Sequence, residues 1–196
     1  MIKLKDILLE STAPDIFIPR RIEGRVERMI KIYIRNGNKG SLRLNKVGLT
    51  KLPDILKDIT VGESFDCSGN NLTSLENCPK TVGGNFGCGF NNLTSLEGSP
   101  SSVGGFFLCS RNKLTTLEGG PVKVGVDFYC SGNNLTSLVG APSSVGGNFD
   151  CSGNNLTSLA GAPKIVDKDF HCRNNTLQFT KDQVRAVCDV KGKIFV

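Results

Sequence analysis

Eight cysteines and a single histidine are the residues of this 196-residue chain with the most distinctive chemistry. Cysteines can pair as disulfides or bind a metal ion as thiolates. Disulfide-rich domains, however, are short and irregularly spaced, whereas six of these cysteines recur every 21 residues, at positions 67, 88, 109, 130, 151 and 172. The chain has no C-x-x-C pair, and His171 is its one imidazole. The sequence therefore predicts free thiols, no metal site and no cofactor; Cys78 and Cys188, outside the period, are predicted to be packing residues.

The residues around each of the six cysteines repeat with the same period. A phenylalanine stands two residues before each, and a leucine stands five residues after it. A fixed period of this length is the signature of a repeat architecture. In Phe-x-Cys both side chains point to the same side of a strand, so the cysteine serves as a small apolar core residue. Reduced, buried thiols are typical of a reducing compartment, which predicts a cytoplasmic protein.

Catalysis finds no support in the sequence. The chain has no H-E-x-x-H, P-loop or G-x-S-x-G motif, so we predict that it is not an enzyme. His171 could form an acid–base pair with Asp150 or Asp169, but chance proximity within the repeat is the simpler interpretation. The N-terminal MIKLKDILLE has acids within its apolar stretch, which argues against a signal peptide, and no apolar run is long enough to predict a membrane span.

The repeat unit resembles a leucine-rich repeat, at the short end of that family's range. In one unit the resemblance rests on Phe149, Cys151, Asn154, Leu156 and Leu159. It implies a solenoid with one parallel strand per repeat, over 148–151 in this unit, and irregular non-helical returns through Gly and Pro. The leucine usual three residues before Phe149 is replaced by Gly146, which predicts a kink where the strand begins. One asparagine per repeat is predicted to bond backbone groups at the bend and link the turns: Asn70, Asn91, Asn112, Asn133, Asn154 and Asn175.

The chain divides into three predicted segments, because open solenoid ends require caps. A basic N-terminal cap covers 1–41, a solenoid of six to seven repeats covers 42–179, and a C-terminal cap covers 180–196. The segment 42–52 is predicted to be a degenerate first repeat, displaced by two residues.

Both caps are predicted to combine helix and strand. In the N-terminal cap the first twelve residues form a short helix or a docked arm, 19–28 a helix, and 29–35 a strand hairpinned to 41–45. In the C-terminal cap Thr180 begins a helix through Cys188, with Val184 and Val187 facing inward, before a final strand over 194–196.

The outward residues of the concave strand face are the predicted binding surface, as in other repeat proteins. The middle repeats carry apolar or charged residues there in place of small polar ones. An exposed apolar cluster rimmed by charge is typical of a protein-binding site; neutral drift of surface positions is the alternative. The predicted partner-binding residues are Phe90, Phe106, Leu108, Arg111, Lys113, Asp127 and Tyr129.

The basicity of the chain belongs to its N-terminal end. Residues 1–60 hold 13 Lys and Arg against 7 Asp and Glu, whereas residues 61–166 hold 5 against 7. One interpretation is a contact with nucleic acid or an acidic partner, through Arg20, Arg21, Arg25 and Arg28. The other is the solvated face of an amphipathic cap helix, with Glu27 and Lys31 paired four residues apart.

The leading prediction is a non-catalytic, intracellular protein-binding module with a partner of unknown identity. Its Gly- and Asn-rich repeats resemble those of tailed bacteriophages, which implies a phage-encoded product. A structural or virion component is the first alternative, and nucleic-acid binding through the basic cap is the second.

Overall fold

A computed structural model describes the backbone of residues 20–196 and the side chains from residue 24 onward. The short helix or docked arm predicted for the first twelve residues lies outside this range. The chain winds into a solenoid in which each turn places its Phe-x-Cys segment beside that of the previous turn. These segments form an eight-stranded parallel sheet of β1 (Leu42–Arg43), β3 (Phe65–Asp66), β5 (Phe86–Gly87), β7 (Phe107–Leu108), β9 (Phe128–Tyr129), β11 (Phe149–Asp150), β13 (Phe170–His171) and β15 (Ile194–Phe195).

The return segments add a second parallel sheet, which the sequence did not predict. Each return carries a two-residue strand that ends in a valine, which is buried in the first six strands and half-buried at Val190 in the last. The seven strands are β2 (Thr60–Val61), β4 (Thr81–Val82), β6 (Ser102–Val103), β8 (Lys123–Val124), β10 (Ser144–Val145), β12 (Ile165–Val166) and β14 (Asp189–Val190). The strands of both sheets are two residues long, so the span predicted over 148–151 is reduced to Phe149–Asp150.

The interior consists of columns of identical side chains. Phe65 pairs in register with Phe86, and this register continues through Phe170. Neighbouring phenylalanine rings have centroids 5.0 to 5.9 Å apart, within the range of favourable aromatic pairs, each worth about 0.5–1.5 kcal/mol beyond area burial. Leu42 and Ile194 occupy the same register at the two ends. No turn can bury this face alone, so the stability resides between turns.

The asparagines link successive turns as predicted. The Asn91 Nδ2 donates to the carbonyl of Cys88 in its own turn and to that of Cys67 in the previous turn, at 3.0 and 3.1 Å. Its Oδ1 accepts from the backbone N–H of Leu72 at 3.0 Å. The same pattern recurs at Asn112, Asn133, Asn154 and Asn175. Each amide thus satisfies backbone groups that the bend leaves without strand partners.

All eight cysteines are free and buried. The thiols of Cys67, Cys109 and Cys151 donate weakly to a carbonyl of the following turn, at 3.3 to 3.4 Å. Burial raises the pKa of every one of the eight thiols, and that of Cys172 and Cys188 to about 11. A thiol held neutral in this way is a poor nucleophile and metal ligand.

The return glycines allow the turns to approach closely. A Cβ on Gly104 would collide with the backbone carbonyl oxygen of Gly83 in the turn before, and Gly125 and Gly146 meet the same obstacle. The position of the leucine in the family pattern is held by Gly146, and the buried Val145 beside it, in β10, supplies the apolar contact instead. Asp167 takes this place in the last full turn, at the end of the glycine column.

The N-terminal cap differs from its prediction. One helix, α1 (Arg20–Arg35), replaces the helix over 19–28 and the strand over 29–35, so the strand and its hairpin are wrong. The alternation of Ile30 with Ile32 suggested a strand, but Val26, Ile30 and Tyr33 are buried at helical spacing, whereas Ile32 is 50% exposed. Packing of this stripe against the first turn decides the conformation. The first return contains a short 3-10 helix, Asp54–Asp58.

The C-terminal cap contains a shorter helix than predicted, α2 (Lys181–Arg185). Thr180 caps it as expected, in a reciprocal capping box with Gln183. Val184 and Cys188 are buried, but Val187 is 45% exposed, so its predicted inward orientation is wrong. The helix ends early because the chain must enter β14 at Asp189, where it pairs with β12.

Candidate protein-binding site

The outward face of the eight-stranded sheet, termed here the sheet face, is built from the residue between Phe and Cys and its neighbours. Side chains at this central position change from charged to apolar and back along the solenoid. In chain order they are Arg43, Asp66, Gly87, Leu108, Tyr129, Asp150, His171 and Phe195. The phenylalanine and cysteine on either side are buried, as the Phe-x-Cys pattern predicts.

A ladder of polar side chains runs along the sheet face one residue before each phenylalanine. Asn85 Oδ1 accepts from the backbone N–H of Phe106 at 3.0 Å, one turn later. Asp127, Asn148 and Asp169 accept in the same way from the turn that follows each of them. Phe106 stands in this column and has no acceptor, so the backbone N–H of Asp127 lacks the partner that its equivalents have. Phe106 therefore costs the fold one hydrogen bond.

A second column, two residues after each cysteine, has left-handed backbone. Glycine occupies it at Gly69, Gly132 and Gly153, with φ of 65–68°. Phe90 and Arg111 occupy it in the middle turns and Asn174 in the last, with φ of 55–56°. A side chain in this conformation costs about 1–2 kcal/mol. The chain thus holds two large side chains at positions where glycine is the unstrained choice.

The predicted site residues fall into two groups. Phe90, Phe106 and Leu108 line one cavity of about 470 Å³ on the sheet face, and the Arg111 guanidinium lies over the Phe90 ring. Phe90 is 54% exposed, whereas Phe106 and Leu108 are half-buried. Asp127 and Tyr129 do not line the cavity and bond each other, with the Tyr129 hydroxyl donating to Asp127 Oδ2 at 2.9 Å.

Lys113 and Tyr129 are held differently by the structure. Lys113 is exposed and does not line the cavity, and its backbone N–H donates to the Leu93 carbonyl at 2.8 Å. Partial burial raises the pKa of Tyr129, and the neighbouring Asp127 carboxylate raises it further. The phenol is therefore a neutral donor at physiological pH.

Nine of the twelve residues that line the cavity were not among the predicted partner-binding residues, and four of these nine bear on its shape and charge. Arg43, Lys46, Asp66 and Gly87 line the same cavity as Phe90. Lys46 shares the left-handed column, with φ of 53°. Leu42 pairs with Phe65, 23 residues later, so the first turn is displaced by two residues from the 21-residue repeat, as predicted. With this displacement Lys46 is equivalent to Phe90, a correspondence that was not predicted from the sequence.

The basic cap presents arginines on the exposed side of α1. Arg25, Arg28 and Arg35 are exposed, and no carboxylate lies within 4.0 Å of them among the side chains that the structure describes. Lys31 pairs with Glu27 at 3.4 Å, as the amphipathic-helix interpretation predicts. The side chains of Arg20 and Arg21 lie outside the described side chains.

The described residues offer no arrangement for acid–base or metal chemistry. The His171 ring stacks on Phe195, with centroids 4.4 Å apart, and forms no hydrogen bond with Asp150 or Asp169. No three His, Cys, Asp or Glu residues from 24 to 196 come together as a metal site. Over the same part of the chain, no helix combines the length and apolar character needed to cross a bilayer.

The stacked parallel strands, the asparagine ladder and the 21-residue turns define a short-repeat leucine-rich-repeat solenoid, a fold used by protein-interaction modules. The fold is similar to that of a Shigella effector LRR domain, with a TM-score of 0.69 and 22% sequence identity, over 90% of this chain and 80% of that one. No family model matches the sequence, and no curated protein matches it.

Proposed function

We propose that this solenoid is a non-catalytic module that binds a protein partner on its sheet face, around Phe90, Phe106, Leu108 and Arg111. One observation carries the proposal: the residues that break the repeat are costly to the fold and lie together. Phe106 provides no acceptor where its equivalents in other turns accept a hydrogen bond, and Phe90 and Arg111 have the left-handed backbone conformation that favours glycine. Neutral drift does not favour residues that destabilise, whereas binding sites retain them.

The composition of this cluster suits a protein interface. Aromatic residues and arginine are enriched at binding hot spots, and the cluster combines two phenylalanines, a leucine and an arginine. We propose Lys113, Asp127 and Tyr129 as its polar rim. The reduced thiols favour a cytoplasmic setting, and a phage origin is proposed from the likeness of the repeats alone.

Site-specific photocrosslinking tests this function. A photoreactive phenylalanine analogue at position 90 is compared in living cells with the same analogue at position 153, which lies in the same column away from the cluster. We expect one discrete crosslinked protein from position 90 and none from position 153. Equal crosslinking from both positions, or none from position 90, contradicts the proposal. A crosslink to a structural protein of an assembled particle would indicate the assembly role.

A second candidate function is contact with nucleic acid through α1, favoured by the exposed Arg25, Arg28 and Arg35, which pair with no carboxylate among the side chains from residue 24 onward. Phosphate contacts of this kind weaken steeply with salt. Charge reversal of Arg25 and Arg28 is expected to abolish binding of a labelled DNA duplex. Binding that survives the reversal, or that is absent from the unmodified chain, contradicts this function.

A further inference from the structure

The cavity on the sheet face includes the one turn that lacks a side chain at the central position. Every other described turn has a side chain at the central position, whereas β5 has Gly87. Gly87 is buried, and a Cβ there would lie 2.9 Å from Asp66 Oδ1 and 3.0 Å from Ser68 Oγ, so the side chains of Asp66 and Ser68 cover this glycine and form part of the cavity wall. Phe90, Phe106 and Leu108 line it as well. Its volume of about 470 Å³ falls within the usual range of ligand cavities.

The cavity is apolar on one side and basic on the other. Arg43 and Lys46 line it from the first turn, and neither has a carboxylate within 4.0 Å among the described side chains. The Lys46 stem lies against the second turn, since a Cβ on Gly69 would approach its Cγ to 2.9 Å. Asp66 is the one acid of the lining, and its Oδ1 already accepts from the Ser68 N–H at 2.9 Å. Unpaired positive charge therefore dominates this side.

We propose that the cavity over Gly87 receives one large apolar side chain from an extended, acidic segment of the partner protein. The apolar side chain contacts Phe90, Phe106 and Leu108, and neighbouring carboxylates of the segment pair with Arg43 and Lys46. This inference rests on the proposed function of the sheet face and adds the chemistry of the segment that binds there. It also orients the segment, with its acidic end toward the first turn.

The charges of the remaining sheet face favour a peptide over a nucleic acid. Asp127, Asp150 and Asp169 follow the cluster along the solenoid. A phosphate backbone crossing these turns would meet like charge, which disfavours it. A peptide needs carboxylates only beside Arg43 and Lys46, and its following residues can be neutral or basic.

A randomised peptide library displayed on particles and selected on the purified full chain tests the inference. We expect selected peptides to share an aromatic or large aliphatic residue flanked on one side by Asp or Glu. The double variant Arg43→Glu/Lys46→Glu is expected to exchange the acidic flank for Lys or Arg while the apolar residue is kept. Selected peptides without the apolar residue, an unchanged preference in the double variant, or no selection at all overturn the proposal.

Filling the cavity separates this inference from the function on which it rests. Gly87→Asn adds a neutral side chain whose Cβ requires the side chains of Asp66 and Ser68 to shift. We expect at least a tenfold loss of affinity for a selected peptide from a variant that remains folded, as its circular dichroism spectrum and thermal melting curve check. Asp150→Asn, in the same column outside the cavity, is the matched control and is expected to bind normally. If a selected peptide binds the Gly87→Asn variant normally but no longer binds the Phe106→Asn variant, the cavity is not the binding site, although the sheet face still binds the peptide. Tight binding of single-stranded DNA that is lost in the Arg43 and Lys46 double variant would also overturn it.

Discussion

The guanidinium of Arg111 lies over the ring of Phe90, 5.2 Å from its centroid, and the two residues come from equivalent positions of successive turns. Both have left-handed backbone at a place where three other turns have glycine. The cation–π contact is worth about 0.5–1 kcal/mol at an exposed site, which offsets only part of the backbone cost of about 1–2 kcal/mol per residue. The stability of the fold therefore does not account for the pair, which agrees with the binding role proposed for both residues.

Restoring the polar ladder is predicted to stabilise the protein. In Phe106→Asn the new amide oxygen can accept from the backbone N–H of Asp127, as Asn85 does from Phe106 one turn earlier. We expect the free energy of unfolding to rise by about 0.5–1.5 kcal/mol, measured by chemical denaturation. Phe106→Ala is the control, because it removes the ring without supplying an acceptor. Equal stability of the two variants would show that the ladder bond contributes nothing.

Removing one asparagine of the interior ladder is predicted to destabilise the solenoid strongly. Asn133 accepts from the backbone N–H groups of Asn112 and Leu114 and donates to the carbonyls of Cys109 and Cys130. Asn133→Ala leaves these buried groups unpaired, and we expect a loss of about 2–4 kcal/mol. Asn134→Ala, at the exposed neighbouring position, is expected to change stability by less than about 0.5 kcal/mol. A similar loss in both variants would contradict the role of the ladder.

The return glycines are predicted to differ in their tolerance of a methyl group. Gly104→Ala places a Cβ against the carbonyl oxygen of Gly83, whereas a Cβ at Gly62 meets no atom closer than Asn38 O at 3.8 Å. We expect Gly104→Ala to lower the free energy of unfolding by more than about 2 kcal/mol and Gly62→Ala to leave it nearly unchanged. Thermal denaturation of the two variants measures this difference. If the Gly104→Ala and Gly62→Ala variants have the same melting temperature, the turns are not as closely spaced as the structure describes.

Alkaline pH is predicted to destabilise the fold through its buried thiols. Burial raises the pKa of Cys130 well above the value of 9.0 that an unburied thiol has. The unfolded chain therefore loses the proton first, so the stabilisation is complete below about pH 9 and declines as pH rises above it, by about 1.4 kcal/mol per pH unit per thiol. Denaturation under reducing conditions between about pH 8 and about pH 10 should show this decline. Cys130→Ala is expected to reduce the slope of unfolding free energy against pH by the contribution of one thiol. An unchanged slope would show that the Cys130 thiol does not contribute to this pH dependence.

The sequence predicted the columns of the solenoid and, at the C-terminal end, the cap at Thr180 and the final strand. It did not predict the return strands or the helical end of the N-terminal cap. The 21-residue spacing was enough to assign Phe, Cys and Asn to the interior, because a strict repeat places equivalent residues in register. The return strands escaped prediction because two residues, such as Ser144–Val145, are too short to show an alternating pattern. In the N-terminal cap the alternation around Ile32 competed with the helical stripe ending at Tyr33, and packing against the first turn settled the choice.

The candidate site was predictable only where the repeat is regular. Phe90, Phe106 and Leu108 stand out against the repeat, and the structure brings them to one cavity. Gly87 was not predicted as a site residue, because glycine is frequent throughout the repeats and a missing side chain does not break the repeat pattern. Arg43 and Lys46 belong to the displaced first turn, and their proximity depends on a register that the repeat alone does not fix.

The central claim is that Phe90, Phe106 and Arg111 lower the free energy of unfolding and are retained because they bind a partner. The direct test is the triple variant Phe90→Gly/Phe106→Asn/Arg111→Gly, which restores the repeat at all three positions, with unfolding free energy and affinity for the protein crosslinked at position 90 measured on the same preparation. We predict a variant at least as stable as the natural chain whose affinity is reduced more than tenfold. A variant that binds with unchanged affinity, or that unfolds more easily than the natural chain, would contradict the claim.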